Sequence, residues 1–144
     1  MTSLPPYAHF LGISTRRSDE GELLFVMPFA DVVLGRPGYV HGGALAGLLE
    51  FAAYGALHEA LGARDPGSPD RDPGQAASGA GGVTIKPVNV TIQYMRGAAQ
   101  HDTIAAATIT RLGNRVANVE AHAWQLDRSK PIAAAQMNVL LRRG

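Results

Sequence analysis

The amino-acid sequence predicts an α+β domain in which an antiparallel sheet wraps around one long central helix. Residues 44–57 are almost entirely apolar and contain no proline, which is typical of a buried helix. After Gly82 the apolar pattern changes to a period of two, and it continues through four segments separated by polar turns. Four long strands that follow one buried helix favour an antiparallel sheet curled around that helix.

The chain before the central helix contains one short helical segment and one strand. Residues 1–12 carry two prolines and scattered apolar residues, which allows a short helix at the edge of the domain. Residues 23–28 predict the first strand, which ends at Pro28 because proline cannot donate a hydrogen bond to a sheet. Residues 30–39 read as a loop, and we expect the central helix over residues 42–61.

Residues 64–82 are dominated by proline, glycine and aspartate, a composition that supports neither helix nor strand. We interpret this segment as a flexible surface loop. A lid over a bound ligand is the functional alternative.

Four strands complete the predicted sheet. In the first of them, Val90, Ile92 and Tyr94 share one face with Val88, while the residues between them are polar. A tight turn at residues 113–114 and a polar turn at residues 127–130 connect the later strands. The predicted strands cover residues 83–96, 103–112, 115–126 and 132–141.

The composition limits the classes of function. The chain has 144 residues, 46% of them hydrophobic and 17% charged, which fits one globular domain over residues 1–144. A formal net charge of +1 favours no nucleic-acid partner. The absence of cysteine excludes disulfides, thiolate metal ligands and a cysteine nucleophile. Because no signal pattern and no membrane-spanning apolar run occur, we expect a cytoplasmic protein without a membrane partner.

Glu50 is the most informative residue, since it is the only charged residue within the apolar run. A buried carboxylate without a partner is costly, so such a residue usually has a partner, a raised pKa or a chemical role. Gly42 and Gly43 precede the run and leave backbone N–H groups at the helix N-terminus, where negative charge is favoured. The segment therefore offers a carboxylate and a site for a developing oxyanion.

The spacing of these two features has a consequence for assembly. Gly42 and Glu50 are eight residues apart in one helix, which corresponds to about 12 Å along its axis. One carbonyl group cannot contact both. If both act on the same atom, they come from two copies of the chain, as in a closed two-fold dimer with antiparallel central helices.

With these elements in place, the chain resembles the hotdog-fold acyl-CoA thioesterases of the phenylacetate-pathway (PaaI-like) type. The resemblance covers residues 23–141 and depends on Gly-Tyr-Val-His-Gly-Gly-Ala-Leu at residues 38–45, followed by the acid at Glu50. Residues 90–96, Val-Thr-Ile-Gln-Tyr-Met-Arg, are similar to the strand of that family that ends in a Tyr-x-Arg-Pro-Ala pattern. Residues 111–115 resemble its basic glycine turn.

The resemblance implies thioester hydrolysis at a dimer interface, in a homodimer or in a tetramer built as a dimer of dimers. Gly42 matches the glycine whose N–H polarises the thioester carbonyl, and Glu50 matches the carboxylate that acts as base or nucleophile. No cofactor is implied beyond the coenzyme A of the substrate. Many members have Asp at the position of Glu50, and many carry Asn or Gln where this chain has Gly35.

Other candidate residues have a functional and a structural interpretation. His41 is a candidate general base, or it fixes the glycine turn. Tyr54 lies one turn after Glu50 and either assists the reaction or packs in the core. Gly43 belongs to the predicted substrate-binding turn. Arg96, Arg111 and Arg115 are candidates for binding the phosphates of coenzyme A, or they are solvated strand ends.

No metal site is expected, since His58-Glu59 begins like a zinc-binding helix but lacks the second histidine. Two function classes remain alongside each other: a thioesterase, and a non-catalytic acyl-CoA or lipid-binding hotdog module, which the glycine at position 35 favours. A hotdog hydratase is disfavoured because the Asp-x-Asn-Pro-x-His pattern is missing. The sequence does not reveal the acyl or aryl group.

Overall fold

The computed structural model describes residues 4–64 and 83–143. The predicted loop over residues 64–82 lies outside the described residues, except for Arg64, which ends the central helix. No helix in the described ranges is both long and apolar enough to cross a bilayer. The elements in chain order are α1 Pro6–Phe10, β1 Ser14–Arg17, β2 Leu23–Met27, a short 3₁₀ turn Asp31–Val33, α2 Gly42–Arg64, β3 Val83–Tyr94, β4 Thr103–Leu112, β5 Val116–Trp124 and β6 Ala133–Arg143.

The strands form one six-stranded antiparallel sheet in the order β1-β2-β4-β5-β6-β3. Helix α2 packs on one face of this sheet, with contacts to strands β2 to β6. The predicted fold, an antiparallel sheet around one long helix, is therefore confirmed. The helix begins at Gly42 as predicted and continues three residues beyond the predicted end at residue 61.

The core lies between α2 and the inner face of the sheet. Leu48, Leu49 and Leu57 are fully buried on the helix. The sheet presents small side chains opposite them, which lets the helix approach closely. These buried alanines are Ala105, Ala117, Ala121, Ala123, Ala133 and Ala135. Gly55 marks the tightest approach, since a Cβ atom there would lie 2.5 Å from Cζ of Phe25.

Strand β1 was not predicted from the sequence. All four of its residues are exposed, and among the described strands it pairs only with β2, at one edge of the sheet. A strand without a buried face has no apolar period, so its sequence carried no signal. An ion pair between Arg17 and Glu59 connects this edge strand to α2.

Strand β3 forms the opposite edge and contains an irregularity at Val88. The register with β6 shifts between Pro87 and Asn89, so Val88 is the inserted residue of a bulge, and it is 62% exposed. Beyond this point Val90 and Ile92 lie opposite buried residues of β6. The prediction that Val88 shares an uninterrupted apolar face with these residues is wrong, because the bulge shifts the alternation by one residue.

Replacing Gly55 by alanine should destabilise the protein. The added methyl group would overlap the ring of Phe25, which is 1% exposed. Such overpacking costs about 1–3 kcal/mol, against a gain of at most about 1 kcal/mol from better helix propensity. Denaturant unfolding measures the difference.

Gly47→Ala is the matched control, since the nearest atoms to a Cβ there belong to the side chains of Leu11 and Tyr7, at 3.2 and 3.3 Å, and not below 3.0 Å. A Gly55→Ala protein as stable as the wild type would show that α2 does not pack against Phe25 as described.

Candidate active site

The loop before α2 is closed by a tight turn over residues 36–39. The Tyr39 N–H donates to the Arg36 carbonyl over 2.9 Å, and Gly38 has a φ of +81°. Proline at the second position and a left-handed glycine at the third are the residues that a type II turn requires. The turn returns the chain toward Val33, whose carbonyl accepts the His41 N–H over 2.7 Å. His41 is thereby held directly before the helix.

His41 caps the N-terminus of α2. Its Nδ1 atom accepts the Gly43 N–H over 2.8 Å, and its carbonyl accepts the N–H groups of Ala44 and Leu45 over 3.0 and 3.2 Å. Because Nδ1 is an acceptor, a neutral His41 carries its proton on Nε2. A Cβ atom at residue 43 would lie 3.0 Å from this Nδ1, so glycine keeps the cap open.

The Gly42 N–H is the first N–H of the helix, and it has no hydrogen-bond acceptor within residues 4–64 and 83–143. The carbonyl of the same peptide unit, that of His41, accepts two hydrogen bonds. Hydrogen bonds in series polarise one another, and the helix dipole adds partial positive charge at this end. The Gly42 N–H is therefore a strong donor available to a ligand.

Tyr94 supports this turn from the end of β3. Its hydroxyl donates to the Gly42 carbonyl over 2.9 Å, and its ring would lie 3.3 Å from a Cβ atom at residue 42. Sequence reasoning assigned Tyr94 to a strand face and to the motif of residues 90–96, without a role in the site. The contact joins residues that are 52 positions apart, and the chain carries no local signal for it.

A surface cleft of about 430 Å³ opens beside Gly42. One wall is the segment from Gly35 to Gly42, and the other is the segment from Tyr94 to Ala98. Two arginines line this cleft. Arg96 is one of the predicted substrate-binding residues, whereas sequence reasoning missed Arg36. The guanidinium of Arg36 lies 4.6 Å from the centre of the Tyr39 ring.

Glu50 lies on a half-buried stripe of α2 formed by Ala46, Glu50, Tyr54 and His58. Its carboxylate has no hydrogen bond or ion pair with any other described residue. Burial alone raises its pKa above the ordinary value. Burial and the nearby negative charge of Glu50 raise the pKa of Tyr54 to about 12, so its hydroxyl stays protonated at neutral pH.

The predicted site residues thus fall into separate groups within one chain. His41, Gly42 and Arg96 line the cleft, whereas Glu50 does not. Because α2 is one continuous helix, Gly42 and Glu50 remain about 12 Å apart along its axis.

Arg111 and Arg115 lie by the turn between β4 and β5, at the end of the sheet remote from Tyr94. A second cleft, of about 550 Å³, is lined there by Arg115 and Arg142. The described residues contain no group of three or more His, Asp or Glu side chains suited to a metal ion.

Comparison with known proteins places this geometry in context. The family model of the thioesterase superfamily matches residues 37–132, which include the capped helix N-terminus and Glu50. No curated protein matches the chain significantly.

Among solved structures, a Chromobacterium violaceum protein is 32% identical over 95% of this chain and 83% of its own, with a TM-score of 0.66. A Bacillus halodurans protein crystallised with CoA is 19% identical, with a TM-score of 0.75, over 100% of this chain and 83% of its own. A phenylacetic acid degradation-related protein of Ralstonia eutropha is 22% identical over 96% of this chain and 92% of its own, with a TM-score of 0.68. The predicted hotdog fold is confirmed by these matches.

The Tyr94→Phe substitution should loosen the start of α2, because it removes only the hydroxyl that holds the Gly42 carbonyl. A hydrogen bond of this kind contributes about 0.5–1.5 kcal/mol to the free energy of unfolding. Hydrogen exchange of the amides in residues 42–45 should become faster, and denaturant unfolding should show the loss. Tyr39→Phe, which removes a hydroxyl without a hydrogen bond among the described residues, is the control. Equal exchange rates in both variants would contradict a supporting role of Tyr94.

Proposed function

The chain belongs to the thioesterase superfamily, and we propose on this basis that it hydrolyses acyl-CoA or aroyl-CoA thioesters to the free acid and coenzyme A. The observation that carries the proposal is a pair of groups on α2 without a hydrogen-bond partner among the described residues, the Gly42 N–H and the Glu50 carboxylate. A thioester hydrolase needs a donor for the oxyanion and a group that activates water or attacks the carbonyl. These two groups fill those roles.

The proposed site is shared between two subunits, because the spacing along α2 keeps the two groups from reaching one carbonyl within a chain. In a two-fold dimer with antiparallel copies of α2, Gly42 of one protomer lies beside the carboxylate of its partner. The midpoint between residues 42 and 50 is Ala46, which is small and half-buried on the same stripe as Glu50. A two-fold axis near Ala46 would allow the helices to approach closely. A tetramer would repeat this unit.

The open edge of β3 supports such a dimer. This strand has 12 residues and pairs only with β6 among the described strands. A long unpaired edge is a template for another strand. Pairing of β3 with the same strand of a second copy would satisfy its N–H and C=O groups and join two sheets into one.

In the water route, the Glu50 carboxylate takes a proton from water as the water oxygen attacks the thioester carbonyl. The Gly42 N–H of the other protomer stabilises the oxyanion of the tetrahedral intermediate. The C–S bond then breaks, and the coenzyme A thiolate takes the proton back from Glu50. Tyr54, which stays protonated, can donate a hydrogen bond to Glu50 or to the water.

In the covalent route, the Glu50 carboxylate attacks the carbonyl itself. The thiolate leaves, and the mixed anhydride formed on Glu50 is hydrolysed by water. Both routes need an ionised Glu50 and the Gly42 N–H. In both, we assign His41 to holding the turn, because its Nδ1 atom is occupied by the Gly43 N–H.

The alternative function, a non-catalytic acyl-CoA or lipid-binding module, is favoured by Gly35. A Cβ atom at this position would lie 3.0 Å from Cα of His41, so the amide side chain common in the family would require the backbone at His41 to shift. Release of free thiol from a panel of short, long and aromatic acyl-CoA substrates separates the two functions. Turnover of any substrate supports the enzyme, and turnover of none supports the binding module.

Glu50→Gln should lower kcat by a factor on the order of 10² or more, since the amide cannot accept a proton or attack. The raised pKa means that the folded state binds the Glu50 proton more tightly than the unfolded state does. Stability is then lost as the pH rises from the pKa of Glu50 in the unfolded state through its higher pKa in the folded state. The Glu50→Gln substitution removes that loss. At neutral pH the variant should melt no lower than the wild type.

Melting and thiol release are measured on the same preparation. In the wild type, kcat should fall as the pH drops through the raised pKa of Glu50. A variant with full turnover, or one that loses stability but keeps turnover per folded molecule, would contradict the catalytic assignment.

Gly42→Pro tests the oxyanion donor directly, because proline removes the N–H and is well tolerated at the first position of a helix. Gly42→Ala is the matched control, since it keeps the N–H and adds a Cβ atom with the same 3.3 Å contact to Tyr94. Loss of one such donor costs about 3–4 kcal/mol of transition-state stabilisation, so kcat of the proline variant should fall by about 10²-fold or more relative to the alanine variant. Equal kcat values in the two folded variants would remove the donor role.

A further inference from the structure

We propose that the cleft beside Gly42 binds the phosphate groups of coenzyme A, and that Arg36 is its principal anion-binding residue. This inference rests on the proposed function, because it assigns the coenzyme end of the same substrate. Arg36 belongs to the turn before α2 and was not a sequence candidate.

Arg36 is held in place by the ring of Tyr39. This ring lies close to the backbone of Gly97, where an added Cβ atom would lie 3.0 Å from Tyr39 Cε1. The Arg36 guanidinium lies over the same ring, 4.6 Å from its centre. A guanidinium stacked on an anchored ring loses less side-chain entropy when it binds a phosphate. Tyr39 thus orients Arg36 before a ligand arrives.

The charges of the cleft favour an anion. Arg36 and Arg96 lie on its two walls, and no described Asp or Glu lines it. The side chain of Arg36 makes no hydrogen bond or ion pair with the rest of the described chain. The pKa of Asp127 is lowered, mainly by hydrogen bonds from Ser129, and the nearby charge of Arg96 contributes to this shift. Arg36 is therefore the less compensated of the two cations.

The cleft is continuous with the proposed reaction centre. His41 and Gly42 form part of the same wall as Arg36. A thioester carbonyl at the Gly42 N–H and the phosphates at Arg36 can therefore belong to one extended ligand. The cleft beside Arg115 and Arg142 also carries two arginines, but it lies at the other end of the sheet from Gly42 of the same chain. Continuity with Gly42 favours the Arg36 cleft.

The test measures binding of coenzyme A alone and of pantetheine, which lacks the phosphates, by calorimetry. Arg36→Ala should raise the Kd for coenzyme A on the order of 10-fold, as expected for a lost hydrogen bond to a charged group, and should leave the Kd for pantetheine unchanged. Arg16→Ala is the charge-matched control, because Arg16 is exposed on β1, at the sheet edge opposite β3. It should bind coenzyme A like the wild type.

Three results would overturn the inference: a wild type that does not bind coenzyme A, equal loss of affinity for both ligands in Arg36→Ala, or a loss confined to Arg115→Ala. Arg36→Gln replaces the alanine variant if the latter does not fold. Failure of the proposed hydrolase function would give a different pattern. No acyl-CoA would be hydrolysed, but binding of coenzyme A would still depend on Arg36. If thiol is released but the KM for acyl-CoA is the same in Arg36→Ala and the wild type, the function stands and this site is wrong.

Discussion

The continuity of α2 is the constraint on which the rest of the account depends. An α-helix fixes the axial separation of any two of its residues, and here it holds the Gly42 N–H and the Glu50 carboxylate about 12 Å apart. Neither group has a hydrogen-bond or ion-pair partner within residues 4–64 and 83–143, and neither can satisfy the other. This separation is the reason for proposing that a second copy brings its own helix alongside in the opposite direction.

The packing around α2 explains why the helix can carry such groups. Its buried face packs on the sheet, whose alanines and the contact of Gly55 with Phe25 allow a short helix-to-sheet distance. The stripe with Glu50 is only half-buried. Burial there raises the pKa of the Glu50 carboxyl, so its ionised form lowers stability, which is the kind of local cost that functional sites retain. The edge strand β3 contacts the start of the same helix through Tyr94, whose hydroxyl donates to the Gly42 carbonyl.

Much of this fold follows from the sequence, because period and composition report burial. The apolar run from residue 44 to 57 and the alternation after Gly82 were sufficient to predict the helix and four strands. Strand β1 was missed because an exposed edge strand buries no side chain. The bulge at Val88 was missed because it depends on pairing with β6, and a period-two pattern read along one strand does not contain the partner.

Some residues of the candidate site could also be predicted from the sequence, and others could not. Gly42 and Glu50 could be predicted because a helix N-terminus and a lone carboxylate in an apolar run have local physical consequences. The cap on Gly43 by His41 is also local and was one of two interpretations. Tyr94 and Arg36 could not be found from spacing, since their roles depend on where β3 ends relative to α2 and on the backbone of Gly97.

Mixed dimers of a Gly42→Pro chain and a Glu50→Gln chain test the shared site most directly. Each homodimer lacks one required group in both sites. A mixed dimer has one site with both changes and one site with neither, because the wild-type Gly42 and the wild-type Glu50 come from different chains. Random reassociation of equal amounts should therefore restore about one quarter of wild-type turnover. No recovery from verified mixed dimers would place both groups in the site of one chain and contradict the account.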